Sequence, residues 1–69
     1  MSFMERFEKL REMNNILAAV KEKGGEWYWK ARGLVRDLEN GINKIPDPEF
    51  QKAIATWENQ FLPLTTARG

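Results

Sequence analysis

The sequence predicts an all-α protein, a small three-helix bundle with helices near residues 3–23, 26–40 and 48–61. In each of these segments apolar residues recur every three or four positions, which is the spacing of a helix with one buried face. Stretches rich in glycine and proline separate the segments. With 69 residues there is room for one core, so we expect a single domain over residues 1–64 and a disordered tail over 65–69.

Composition narrows the function classes. The chain has no cysteine, so it has neither disulfides nor a thiolate zinc site, and its formal net charge is only +1. A nearly neutral chain is poorly suited to partners that are bound mainly through bulk electrostatics, such as nucleic acid or an anionic membrane. The charge balance therefore favours a protein partner. The longest apolar run, residues 16–20, is far too short for a membrane span, and residues 5 and 6 are charged where a signal peptide would be apolar. We therefore expect a cytoplasmic protein.

The first helix has a well-marked start. Ser2 and Glu5 have the spacing of a capping box, in which each side chain binds the backbone N–H of the other. Gly24-Gly25 is expected to end the helix and to open an antiparallel hairpin. The predicted apolar face consists of Phe3, Phe7, Leu10, Met13, Leu17 and Val20.

The second helix holds two of the three tryptophans and the only tyrosine. Trp29 lies outside its apolar stripe and shares the polar face with Arg32 and Arg36, at steps of three and seven residues. Gly33 costs roughly 1 kcal/mol of helix propensity relative to alanine. The interpretation we favour is that the helix simply tolerates this glycine. The alternative is that Gly33 marks a close approach of another backbone or of a ligand. The predicted stripe consists of Trp27, Tyr28, Ala31, Leu34, Val35 and Leu38.

The third helix is predicted to start at Pro48, with Asp47 as its N-cap. Pro63 is expected to end this helix. Leu62 and Leu64, on either side of Pro63, are expected to fold back as an apolar clasp. The predicted core face consists of Phe50, Ile54, Trp57 and Phe61.

The sequence has few residues suited to catalysis or to metal binding. There is no histidine and no cysteine, so the commonest general base, the thiol nucleophile and the usual transition-metal ligands are missing. The acids Glu5, Glu8 and Glu12 share one helix side, but each has a basic neighbour at helical spacing. We expect no enzymatic activity, no cofactor and no metal.

We predict a partner-binding site at Trp29, Arg32 and Arg36, because tryptophan and arginine are the residues most enriched at binding hot spots. The same residues can clamp a phosphate or stack on a base, so a nucleic-acid-binding module is the alternative, although no basic footprint surrounds them. In a third interpretation Trp29 packs against the Leu62–Leu64 clasp or a second subunit. The protein would then be a structural subunit of a homo-oligomer. A symmetric dimer is expected under each of the three interpretations.

The segment WYWKARGLVRDL and the later KIP with Phe50 resemble the Hha/YmoA group of small regulators that bind nucleoid proteins. Arg32 stands where that group would lead us to expect an acidic residue, and we assign the chain to no family. The sequence therefore favours a non-enzymatic helical protein that binds another protein as a regulator or inhibitor. Regulators of this kind include those that phages and mobile elements use to block host proteins.

Overall fold

The computed structural model describes residues 1–66 and is all helical in that range, with no strand. Helix α1 spans Phe3–Asn40 and helix α2 spans Asp47–Thr66, and turn residues 41–46 join them. The predicted all-α class is confirmed. The predicted three-helix bundle is wrong in its number of helices, because the first two predicted helices form the single element α1. No helix in the described range is both long and apolar enough to cross a membrane.

A sharp kink at Gly25 interrupts α1. Gly25 has φ 60° and ψ −136°, which is a conformation open to glycine and strained for residues with a Cβ. The predicted break at Gly24-Gly25 is therefore in the right place, but only one residue leaves the helical conformation. Gly24 is buried beside Tyr28, and a Cβ added at Gly24 would overlap the Cβ of Tyr28. Gly25 therefore allows the chain to turn, and Gly24 allows it to pack closely against Tyr28.

The kink folds α1 back on itself into an N-terminal arm, residues 3–24, and a C-terminal arm, residues 26–40. A straight helix of 38 residues would be about 57 Å long, whereas the longest extent of the molecule is 36 Å. The amide of Asn14 in the first arm donates to the Glu39 carboxylate in the second at 2.7 Å. In a straight helix these residues would lie about 37 Å apart.

Helix α2 packs against both arms of α1. The indole of Trp57 binds the backbone of Ala31 in the C-terminal arm, and Glu58 pairs with Lys9 in the N-terminal arm at 2.8 Å. Trp57 and Phe50 are fully buried, as predicted. The core consists of Leu10, Met13, Leu17, Tyr28, Ala31, Val35, Leu38, Phe50, Ile54, Trp57 and Phe61.

Three residues predicted for the apolar faces are instead exposed. Phe3 and Phe7 are half exposed because their end of the N-terminal arm lies beside the turn that holds Ile42, where no other helix of residues 1–66 covers them. Leu34 is 40% exposed because it lies at the edge of the stripe whose centre is Ala31, Val35 and Leu38. The predicted capping box is confirmed, with both bonds between Ser2 and Glu5 present.

Helix α2 differs from its prediction at both ends. Its first backbone bond runs from the N–H of Phe50 to the carbonyl of Pro46, so the helix begins at Asp47 rather than Pro48. It continues through Pro63 to Thr66 instead of ending near residue 61, and Leu62 packs half-buried against the core. The predicted Leu62–Leu64 clasp does not form, since both residues continue the helix. Of the predicted tail, residues 67–69 lie outside the described range.

Arg6 ties the N-terminal arm to the start of α2. Its guanidinium donates to the carbonyl of Ile42 at 2.8 Å and to the Asp47 carboxylate at 2.6 Å, and it lies 4.6 Å from the ring centre of Phe50. The Met1 ammonium also contacts the Asp47 carboxylate. Hydrogen bonds from Met1 and from Arg6 lower the pKa of Asp47. The carboxylate therefore serves in ion pairs rather than as the predicted N-cap.

Candidate functional site

Trp29 is the most exposed large apolar side chain described, with 66% of its surface accessible. Its ring stands edge-on to the buried Tyr28, with the ring centres 4.9 Å apart and an interplanar angle of 83°. The predicted placement of Trp29 on the outer face of its helix is confirmed. An aromatic pair with this edge-on geometry is favourable, and it leaves most of the indole accessible.

Trp29 lies on an open groove of about 730 Å³ between the C-terminal arm and the last turns of α2. We call this the Trp29 groove. The stacked rings of Trp27 and Phe61, with centres 6.2 Å apart, join the arm to α2 there. The groove is lined by Trp27, Trp29, Lys30, Gly33, Leu34, Arg36, Asp37, Gln60 and Phe61.

Gly33 gives the groove its open surface. A Cβ added at this position would meet no heavy atom within 4 Å, so packing inside the chain does not require a glycine here. This open space fits the favoured interpretation of a tolerated glycine, and no backbone of the described residues makes the close approach that was the alternative; an approach by a ligand stays a prediction. Gly33 is four residues after Trp29 and three before Arg36, on the same side of the helix. Its missing side chain leaves space between those two residues.

Charged groups of both signs border the Trp29 groove. Lys30 and Arg36 are cationic and Asp37 is anionic, and all three are exposed. None of them forms an ion pair with any residue in the described part of the chain. These charges therefore need no internal bond to be broken before they bind another molecule.

Arg32, the third predicted site residue, lies apart from the Trp29 groove. Its guanidinium is 3.7 Å from the Glu39 carboxylate, which also accepts the bond from Asn14. One terminal nitrogen of Arg32, Nη1, is buried and has no hydrogen-bond partner among the described residues. Arg32 thus belongs to the junction of the two arms. The structure brings together Trp29 and Arg36 but not Arg32.

Helical geometry explains this division. A step of three residues leaves two side chains about 60° apart around the helix axis, whereas a step of seven leaves them about 20° apart. Arg36 therefore lies nearly in line with Trp29, and Arg32 leans toward the neighbouring arm. Lys30, Leu34 and Gln60 were not predicted as site residues. The sequence signal that could have identified the groove was Gly33, one helical turn after the exposed tryptophan.

Away from the groove, the described residues offer little for metal chemistry. No three side chains among His, Cys, Asp and Glu gather in a way that could hold a metal ion in residues 1–66. Among the acids considered above, Glu12 lies 3.9 Å from Lys9. The pKa of Lys9 is raised, chiefly because its ammonium donates a hydrogen bond to Glu58, while partial burial opposes the shift.

No protein-family model, curated protein or solved structure matches this chain. The resemblance to the Hha/YmoA group thus gains no support from a family match.

Proposed function

We propose that this protein is a non-enzymatic module that binds another protein through the Trp29 groove and acts as a regulator or inhibitor. The observation that carries the proposal is that an exposed tryptophan shares one side of its helix with a glycine that no internal contact requires. A glycine in an exposed helix interior costs up to about 1 kcal/mol relative to alanine. A partner chain that has to approach the helix closely at Gly33 explains why a glycine stands there despite this cost.

The residue types also support a protein partner. Tryptophan and arginine are enriched among binding hot spots, and Trp29 and Arg36 both line the groove. Lys30, Arg36 and Asp37 together place both signs of charge around an apolar centre, as at the rim of a protein interface. A nucleic-acid surface would instead be expected to present a stripe of cations. The absence of histidine and cysteine from the sequence favours binding over catalysis.

Capture from an extract of the source cell tests the proposal. The wild-type protein is immobilised and exposed to nuclease-treated extract at low and at high salt, beside Trp29→Ala and Gly33→Ala variants. Met4→Ala serves as the matched control, because Met4 is 59% exposed and does not line the groove. We expect one or more proteins to bind the wild type and Met4→Ala and to bind the two groove variants at least about tenfold less.

The variants also separate the competing interpretations. Gly33→Ala adds a methyl group to the groove without a clash inside the chain, so lost capture by a well-folded Gly33→Ala protein would point to direct steric exclusion. Equal capture by the wild type and Trp29→Ala would contradict the proposal. Capture that disappears after nuclease treatment and falls steeply with salt would favour a nucleic-acid-binding module instead.

A further inference from the structure

A second exposed apolar surface lies at the start of α1. Phe3 is 50% exposed and Phe7 is 48% exposed, and their rings stack with centres 6.4 Å apart. We call these two residues the Phe patch. Neither residue lines the Trp29 groove, so the surface requires its own explanation. Two exposed phenylalanines in contact form a continuous apolar area, and areas of this kind mark interaction sites more often than single exposed residues do.

The Phe patch forms one wall of a groove of about 480 Å³ between the N-terminal arm and the turn after α1. Buried Leu10 and half-buried Ile42 also line it, so the groove is mostly apolar. A phenylalanine side chain from another molecule would fit in this volume. The same small surface therefore offers both projecting aromatic rings and an apolar recess that can receive them.

The polar rim of this groove carries both signs of charge. Arg11 and Glu39 line it together with Asn14 and Asn15, and Arg11 has no ion-pair partner among the described residues. On the adjacent side of the arm, Arg11 is flanked by Glu8 and Glu12. An unpaired arginine next to acids is suited to a partner surface with the same two signs.

We propose that the Phe patch docks a second copy of this chain in a two-fold symmetric dimer, with phenylalanine rings of each copy entering the other's groove. A two-fold axis brings a surface against itself, so the surface must be self-complementary. The projecting rings and the recess meet that requirement in shape, and Arg11 with its neighbouring acids meets it in charge. The net charge of +1 per chain means that two copies repel each other little.

The dimensions suit a helix-to-helix contact. An interface of standard size takes about 800 Å² from each partner, which is about a sixth of the 4956 Å² surface of this chain. The surface from Phe3 to Asn15 follows the N-terminal arm for about 20 Å, which is long enough for two arms to pack antiparallel. The three acids between Phe3 and Asn15 are balanced by three bases, so this surface has no cationic excess that would favour an anionic membrane as the alternative occupant.

Sedimentation analysis over a range of micromolar concentrations tests the proposal. Wild type is compared with a Phe3→Ser, Phe7→Ser double variant and with Trp29→Ala, which removes an exposed aromatic residue elsewhere. We expect wild type and Trp29→Ala to be dimers and the double variant to be a helical, cooperatively melting monomer. The melting temperature should rise with concentration for wild type and stay constant for the double variant, because dimerisation stabilises the fold by mass action.

Three outcomes would overturn the proposal: a wild-type monomer at every concentration, a double variant that still dimerises, or a Trp29→Ala monomer, which would place the second copy on the Trp29 groove. If the double variant does not fold, Arg11→Glu provides the test, since this exposed side chain has no ion-pair partner to lose among the described residues. Reversal should weaken the dimer at least about tenfold, with partial recovery in high salt. An unchanged dimer in Arg11→Glu would equally contradict the proposal.

Discussion

The indole nitrogen of Trp57 donates a hydrogen bond of 3.1 Å to the backbone carbonyl of Ala31, 26 residues earlier in the chain. Trp57 and Ala31 are both fully buried, whereas Trp29, two residues before Ala31, is 66% exposed. The C-terminal arm of α1 therefore contacts α2 through Ala31, whereas Trp29 lies on a different side of the arm, at the open groove between the arm and the end of α2. This separation allows variants of the fold and variants of the site to be distinguished.

Trp57→Ala should remove about 3–5 kcal/mol of unfolding free energy, because it leaves a cavity at the centre of a small core. A loss of that size would abolish cooperative folding in most domains this small. Trp57→Phe keeps much of the apolar volume and should cost less. Urea titration followed by far-UV circular dichroism measures both, and cooperative unfolding of Trp57→Ala near the wild-type midpoint would contradict the core described here.

Gly25→Ala should destabilise the protein by about 1–3 kcal/mol, because the kink requires a positive φ that alanine adopts only with strain. A Cβ at Gly25 meets nothing within 4 Å, so the penalty would come from the backbone and not from a clash. Thermal melting beside Gly33→Ala gives the check, because a Cβ at Gly33 also meets nothing within 4 Å but Gly33 does not have a positive φ. A Gly25→Ala protein as stable as wild type would show that the kink does not need this conformation.

Unlike Gly25→Ala, Gly33→Ala should stabilise the protein and raise the unfolding free energy by up to about 1 kcal/mol. The reason is that Gly33 is exposed in a helix interior with open space around it. Chemical denaturation measures the change. A clear loss of stability would mean that the groove side of the arm is packed more tightly than described. A gain in stability would make lost partner binding by this variant all the more informative.

The ion pairs of Asp47 with the Met1 ammonium and with Arg6 predict a specific dependence on pH. These two partners lower the folded-state pKa of Asp47, so the pairs contribute stability above about pH 4, and that contribution is lost as the pH falls through the folded pKa. The melting-temperature gap between wild type and Asp47→Asn should therefore be open at neutral pH and close under strong acid. Glu49→Gln is the control, because Glu49 is exposed and unpaired among the described residues. A gap independent of pH would contradict this role for Asp47.

The sequence predicted the buried face of α2 well. Phe50 and Trp57 follow directly from helical periodicity, because the phase of a short helix is set locally. Phe3 and Phe7 share the phase of Leu10, but whether anything covers them depends on where the neighbouring elements end. That is a property of the whole fold, and periodicity within one helix does not contain it.

Gly24-Gly25 shows a second limit. A glycine pair signals a break, yet the sequence does not distinguish a loop from a turn made by a single residue within α1. Part of the Trp29 groove was predicted, because the phase of Trp29 put this residue outside the apolar stripe. Arg32 was grouped with it because a step of three residues was treated as equivalent to a step of seven. The contribution of Gln60 and Phe61 from α2 requires knowledge of how α2 crosses the arm.

If Trp29 serves a partner, the fold does not need its side chain. The unfolding free energy of Trp29→Ala, measured beside that of Trp57→Ala, decides whether this holds. We expect a loss of no more than about 1 kcal/mol, which is the order of the edge-on contact with Tyr28. A loss as large as that of Trp57→Ala would mean that Trp29 belongs to the core, and it would contradict the proposed binding site.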